Sequence, residues 1–460
     1  MKKAAVLVIA VGLLLAITGC ATPETTPAPA PAPSPAPPES PTPAPVPAPD
    51  TIPAAITGLI ATNIYDGRVN LQWDKSASAD FGHYRIYASR SEIADTSGLT
   101  PVHRINDRAT TRYQMGELDM ETPFYFAVTA VVESGDENTE VAAVKVVSTP
   151  MPRGVADPEI QVDIYRSDIA WPGTTLLADN HNRDEPRIIE VNMLGEIIWE
   201  YRIPDRLNQF TNPGFDVEWL PNNNILFTLP LNGVHEINRN GDTVWTYRDK
   251  KVSHDADRLP NGNTLVVFGG GDQIDDAQVK EISPEGKIIW SWYARDHFNR
   301  APYKDIFDGG WTHTNAVLRL ENGNTLISPR NFDFLVEVDP KGTVVRTIGE
   351  GILRHQHDPE VLPGGNILLA NHRTPHRAVE IAPETGQIVW QSAGFKGDNV
   401  PVRDANRLPN GNTLITGITT IVEVTPEGET VWQLGLKGVT FDSKEARGLG
   451  FYKADRIGIR

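Results

Sequence analysis

A hairpin signature recurs along the chain and constrains its fold more than any other feature. It reads Leu220-Pro221-Asn222-Asn223-Asn224, Leu259-Pro260-Asn261-Gly262-Asn263, Leu320-Glu321-Asn322-Gly323-Asn324, Leu362-Pro363-Gly364-Gly365-Asn366 and Leu408-Pro409-Asn410-Gly411-Asn412. Asn-Gly supplies the positive φ that a tight turn needs, so each copy joins two antiparallel strands. A degenerate copy, Trp171-Pro172-Gly173-Thr174-Thr175-Leu176, begins the series. A second mark closes each unit with a turn and a β-branched strand ending in Trp: Gly195 to Trp199, Gly241 to Trp245, Gly286 to Trp290, Gly386 to Trp390 and Gly428 to Trp432. Arg346 replaces the Trp once, after Gly342. The repeat is roughly 45 residues long, fills 165–435 and predicts four short strands per unit. An all-β, six-bladed β-propeller follows, with the Trp side chains as packing between blades.

The start of the chain belongs to no core. Lys2 and Lys3 precede the apolar run 4–16, which ends in Ile17-Thr18-Gly19-Cys20, so residues 1–20 are expected to be a lipoprotein signal peptide. The run is too short to favour a permanent membrane span. Cys20 is the only cysteine, which removes internal disulfides and Cys-based metal sites. It is expected to carry lipid as the mature N-terminus and to hold the protein to the membrane, in the cell envelope and outside the cytoplasm. Residues 21–53 are Pro, Ala, Thr and Ser, a linker that at ~3.1 Å per residue could reach about 100 Å. The net charge of −17 speaks against a nucleic-acid partner. An anionic substrate would need local positive charge.

Residues 54–150 lack the repeat marks and read as short strands. Val69-Asn70-Leu71-Gln72-Trp73, Tyr84-Arg85-Ile86-Tyr87-Ala88 and 124–131 carry the strand patterns. On Trp73, the Tyr84–Tyr87 strand and a Leu118–Tyr125 corner pairing, this stretch resembles a fibronectin type III domain, a β-sandwich. It holds no catalytic constellation, and His83 and His103 are taken as surface or packing residues. A spacer, or a cell-surface or carbohydrate contact, is the expected role.

Chemistry is expected at the propeller axis. The stretch before each hairpin is the innermost strand, and the stretch after it runs back to the same face. His254 and His357 each precede their hairpin Leu by five residues; Phe215 and Arg403 share that offset. His313 precedes Leu320 by seven, which predicts a bulge or extension. Arg330 ends the second strand of its blade, as Asn371 and His372 do in the next. His254, His313, Arg330 and His357 are therefore expected to converge on one mouth of the channel.

Three readings compete for such a cluster. Histidines from separate blades could bind a metal, although a nearby Arg opposes a divalent cation. They could be ordinary polar channel residues. Or Arg and His could grip an oxyanion while a neutral imidazole attacks its central atom. Asn315 is a further candidate donor, His355 and His181 are weaker ones, and His235, His297 and His376 are expected in loops or at the surface.

The segments Ser253-His254-Asp255, Trp311-Thr312-His313-Thr314-Asn315, Ser328-Pro329-Arg330 and Gln356-His357-Asp358 resemble the bacterial arylsulfotransferase family, over about residues 160–460. The resemblance implies an arylsulfotransferase-like β-propeller over 151–460. It implies ping-pong transfer of a sulfuryl group from an aryl sulfate donor to a phenolic acceptor, without nucleotide and without cofactor. It makes His357 the nucleophile, His254 and His313 the sulfate-holding histidines and Arg330 the neutralising arginine. Asn315, Asn371 and His372 would contact substrate, and no metal is implied. The chain departs from the family in its shorter blades, its lack of a cysteine pair and the acid Asp358 beside His357. A non-catalytic binding propeller and a quinoprotein-like dehydrogenase are the rival readings.

Overall fold

The computed structural model describes residues 52–62, 64–167, 169–439, 441 and 448–457. The signal peptide, Cys20 and the linker up to residue 51 lie outside the described residues.

Residues 60–147 form two antiparallel sheets. One joins Ile60–Thr62, Val69–Gln72 and Arg112–Met115; the other joins His103–Ile105, Phe81–Ser89, Pro123–Val132 and Val144–Val147. Between them lie Trp73, Tyr84, Ile86, Phe126 and Val128, all buried. The expected Leu118–Tyr125 pairing is not formed. Leu118 packs into this core, whereas Tyr125 packs beside Tyr87, Ile93 and Ala127. Alternation along the strand explains this, because Phe126 faces the core and its neighbour must turn away.

Beyond it, six antiparallel sheets follow in order, and their second-strand hairpins fall at the repeated signatures. In the third blade, for example, Leu259 N–H donates to Asn263 O at 2.8 Å and Gly262 N–H to Leu259 O at 2.9 Å. The apolar clusters each draw on two neighbouring sheets: Leu226 and Val234 meet Val266 and Ile282, and Leu335 and Ile348 meet Leu369 and Ile381. Stacking thus buries faces that no single sheet could cover. The architecture is a six-bladed β-propeller.

Its seam departs from the sequence expectation. The repeat pattern stops at residue 435, yet the innermost strand of the first blade is Phe451–Ile457, paired antiparallel with Thr174–Asp179. The pattern could not reveal this strand because no hairpin signature accompanies it. On the outside, Val155–Ala156 extends the first blade and Ile160–Tyr165 extends the sixth. The ring is therefore clasped on both its inner and outer edges.

A side-chain staple repeats between blades. The last Asn of each hairpin donates to a Glu on the third strand: Asn263 to Glu281 at 2.6 Å, Asn366 to Glu380 at 2.7 Å and Asn412 to Glu423 at 2.7 Å. That Glu also holds an Arg of the next blade, as in Arg319–Glu281 and Arg407–Glu380, both 2.7 Å. The Arg then covers the Trp that ends the fourth strand: Arg407 over Trp390 at 4.9 Å, Arg456 over Trp432 at 4.4 Å. The indoles donate onward to turn carbonyls, Trp390 to Pro426 O at 2.8 Å and Trp432 to Met193 O at 3.0 Å. Where the Trp is missing, Arg346 bonds Glu337 at 2.7 Å and reaches Glu384 of the following blade at 2.5 Å.

Trp432 stands at the seam and is fully buried. Replacing it by Ala should lower the unfolding free energy by ~3–5 kcal/mol in denaturant titration. The half-buried Trp390→Ala should cost about half of that or less; equal losses would mean the seam is no special point.

Candidate active site

The first residues of the innermost strands gather at one mouth of the channel. Each comes from a different blade, and local backbone irregularity aims it. His313 takes φ +46° ahead of Thr314–Arg319, whose register shifts between Thr314 and Ala316, so the predicted bulge is present. Asp358, next to His357, takes φ +48° in a second bulge between His357 and Glu360. Arg330 follows directly on Thr325–Pro329, whose Pro329 pairs with Thr314.

The structure brings the four predicted residues together. His254 Nε2 lies 2.9 Å from His313 Nε2, with ring centroids 5.0 Å apart. The His357 ring is 6.4 Å from that of His254. Arg330 stands close enough to depress the basicity of all three imidazoles. It donates to Asp308 O at 2.8 Å and to Asn331 Oδ1, and among the described residues it forms no carboxylate ion pair. His372 joins the group edge-on to His357, with centroids 4.5 Å apart.

Other candidates fare differently. Asn315 donates to Gln356 O at 2.9 Å, which ties its blade to the strand that carries His357, and its Oδ1 is buried without a partner. Asn371 Oδ1 accepts from Arg354 N–H at 2.6 Å and so holds the 349–355 turn. His355 reaches only the rim, 3.9 Å from Asp308. His181 is bound to Asp179 at 2.6 Å and Glu159 at 3.2 Å, in a network with Arg187 away from the cluster. His235 is no surface residue: it is buried on Gly233–Ile237 and stacks on Phe227 at 5.1 Å. His297 bonds Gly342 O at 3.0 Å and His376 bonds His372 O at 2.5 Å.

Burial leaves the imidazoles neutral. It pushes His254, His357 and His372 well below the ordinary histidine range and His313 to about 3, with Arg330, Arg403 and neighbouring histidines adding to the effect. The expected cationic cup thus owes its charge to arginine, not to histidine. Hydrogen bonding then orders the protons. His313 Nδ1 lies 3.1 Å from Asp308 O, and a carbonyl only accepts, so this nitrogen carries hydrogen. His313 Nε2 therefore has a lone pair, His254 Nε2 donates to it, and His254 Nδ1 accepts from the Tyr452 hydroxyl at 3.1 Å. His357 Nε2 is buried with no partner.

Beneath this level the channel is acidic. Asp216, Asp255, Asp358 and Asp404 each stand four residues before a hairpin Leu, and Lys453 of the closing strand bonds Asp358 at 3.1 Å and Asp216 at 3.3 Å. A narrow cavity of about 10 Å³ joins the two levels; His254, His357, Asn315, Arg403, Tyr452 and Lys453 are among its lining residues. A larger cleft of about 440 Å³ beside the sandwich is lined by Arg112, Tyr113 and Trp171, and holds no comparable group of imidazoles. No set of three or more His, Cys, Asp or Glu side chains among the described residues is arranged to hold a metal ion. Tyr452 and Lys453 escaped sequence reasoning because they lie beyond the repeat. Arg403 was legible by its offset alone.

A six-bladed propeller with a buried cluster of histidines and arginine at one mouth of its channel is the class that fold and site define. The family model described as Arylsulfotransferase (ASST) matches residues 172–353, which include His254, His313 and Arg330 and stop just short of His357. That match supports an enzyme of the arylsulfotransferase type. No curated protein matches the chain. Among solved structures, a protein of unknown function from Bacteroides caccae is similar at 20% identity and TM-score 0.45, over 59% of this chain and 97% of that one. Virginiamycin B lyase from Staphylococcus aureus is similar at 11% identity and TM-score 0.38, over 63% and 90%. The WD40 propeller domain of Doa1 is similar at 11% and 0.38, over 86% and 98%.

The acidic level makes stability depend on pH. Burial raises Glu218 to about 8, Glu360 to about 7, and Asp216 and Asp455 to about 6. The folded chain then binds more protons than the unfolded one above pH ~4, so stability falls as pH rises toward about 8. The buried histidines act in the opposite sense, below pH ~6.5. Glu218→Gln removes the highest of these carboxylates, and its Tm should decline less than the parent's between pH ~6 and ~8.5. Parallel Tm curves would show that Glu218 titrates as it does in the unfolded chain.

Proposed function

We propose that the protein transfers a sulfuryl group from an aryl sulfate to a phenol through a sulfated His357, without a nucleotide donor. The observation that carries this reading is a neutral, buried His357 Nε2 that has no partner among the described residues, in a cup where Arg330 forms no ion pair with a carboxylate among those residues. A guanidinium fork matches sulfate oxygens and offsets their charge in a site where water does not screen it. The His357 Nε2 lone pair attacks sulfur as the S–O bond to the aryl group breaks, and the bonding pair leaves on the phenolate. To serve the oxygen that gains charge, the His254 N–H exchanges its His313 partner for that oxygen. In the second half, the oxygen of an acceptor phenol attacks sulfur as its proton passes, by way of the His313 Nε2 lone pair that His254 has released, to the solvent that has protonated the first phenolate. The N–S bond then breaks and returns the pair to His357.

We further propose that residues 54–150 are a fibronectin type III-like spacer or surface-contact module. Lipid on Cys20 would hold the protein to the membrane, facing outside the cytoplasm. No helix among the described residues is long and apolar enough to cross a membrane.

Mass spectrometry of protein quenched with p-nitrophenyl sulfate should find one added sulfuryl group on His357. His357→Ala should abolish both adduct and p-nitrophenol release, and unchanged turnover would end the proposal. Arg330→Lys should lower kcat/KM by about 100-fold, because an ammonium cannot reproduce the fork.

A further inference from the structure

The strand that closes the ring also reaches into the cup. Tyr452 lies on Phe451–Ile457, is fully enclosed among the inner strands, and has its ring 6.3 Å from His254 and 6.5 Å from His357. We propose that Tyr452 is a positioning residue that, with Asp308 O at the other end of the same line, holds the proton of His254 on Nε2, so that His254 brings a donor and His313 an acceptor to the cup. The inference rests on the sulfuryl-transfer reading for its kinetic consequence, but its structural content stands alone.

Three hydrogen bonds form one line. The Tyr452 hydroxyl meets His254 Nδ1 at 3.1 Å, His254 Nε2 meets His313 Nε2 at 2.9 Å, and His313 Nδ1 meets Asp308 O at 3.1 Å. The two ends differ in kind. A carbonyl can only accept, so the Asp308 end sets the direction; a hydroxyl can do either, so the Tyr452 end must agree by donating. Were His254 to move its proton to Nδ1, two lone pairs would face each other at the 2.9 Å contact. His313 could relieve that only by giving up Asp308 O. The wire therefore has one self-consistent polarity, and the tyrosine hydroxyl satisfies its last nitrogen.

Removing that hydroxyl leaves the buried His254 Nδ1 without a partner, a loss of the kind that costs ~1–3 kcal/mol. Arg403 holds the strand from below: it donates to Phe451 O at 2.8 Å and stands 5.2 Å from the Tyr452 ring centre. Burial lifts the Tyr452 hydroxyl above the ordinary tyrosine range, so it remains protonated and donating. A group so weakly acidic cannot usefully protonate a leaving phenolate of pKa ~10 or less. Tyr452 thus orients and does not itself supply the proton.

The test uses the full chain with ¹⁵N-labelled histidine, His254 being assigned by signal loss in His254→Gln. In the parent, His254 should show a pyridine-type Nδ1 and a pyrrole-type Nε2. In Tyr452→Phe it should show mixed or exchanging tautomers, with kcat for p-nitrophenyl sulfate lowered on the order of 10–100-fold and KM changed by less than about 3-fold. A parent His254 with hydrogen on Nδ1 would overturn the proposal. So would a Tyr452→Phe protein with unaltered tautomer and kcat. If the parent turns over no aryl sulfate yet shows the stated tautomers and their loss in the variant, the sulfotransferase reading fails while the tautomer lock stands. Should the variant not fold, a parent His254 with hydrogen on Nδ1 still overturns the proposal.

Discussion

The pairing of Phe451–Ile457 with Thr174–Asp179 is the interaction on which the rest depends, because it turns a row of sheets into a ring. An open row would leave two sheet faces uncovered and the six innermost strands unable to share an axis. The seam is reinforced accordingly: Arg456 and Glu423 are both fully buried and 3.2 Å apart, Trp432 lies under Arg456, and the outer strand Ile160–Tyr165 clasps the last blade. The strand that closes the ring brings Tyr452 and Lys453 with it. Closure and site assembly are thus one event, and residues distant in sequence become neighbours only when it is complete.

Burial divides the channel into two levels of opposite character. At the mouth it keeps the imidazoles neutral and leaves Arg330 as a positive group with no carboxylate partner, a setting that favours an incoming anion and a nucleophilic nitrogen. One level below, the same desolvation raises Asp216, Asp255 and Asp404, and Lys453 offsets part of the negative charge by bonding Asp358 and Asp216. The Asp358 bond also reaches the bulge beside His357, so the acid next to the candidate nucleophile is turned to the floor and compensated there. A static negative charge directly under a sulfate would oppose its binding; a lysine-bridged and partly protonated floor opposes it far less.

Much of this was legible in particular residues. Hairpin chemistry fixed blade number and strand direction, the offset of His254 and His357 from their Leu placed them on one rim, and the longer offset of His313 foretold its bulge. The acid at four residues before four of the five hairpin Leu residues carried a signal too, although only its repetition across blades exposes a ring. For Asn371 the offset gives position but not partner: its side-chain oxygen accepts from Arg354 N–H. His235 was misjudged because polarity suggested a loop, whereas stacking on Phe227 pays for its burial. The Leu118–Tyr125 corner failed for a simpler reason, the two-residue alternation of a strand.

The sequence by itself determined the repeating unit, the number of units and the set of side chains available at the mouth, since turn geometry and strand alternation are local properties. Tertiary structure alone decided which strand completes the first blade, which nitrogen of each histidine holds its proton, and how far burial shifts every ionisable group. Those depend on contacts between segments hundreds of residues apart, such as Tyr452 with His254 and Arg456 with Trp171, and on the exclusion of water that only a closed ring provides.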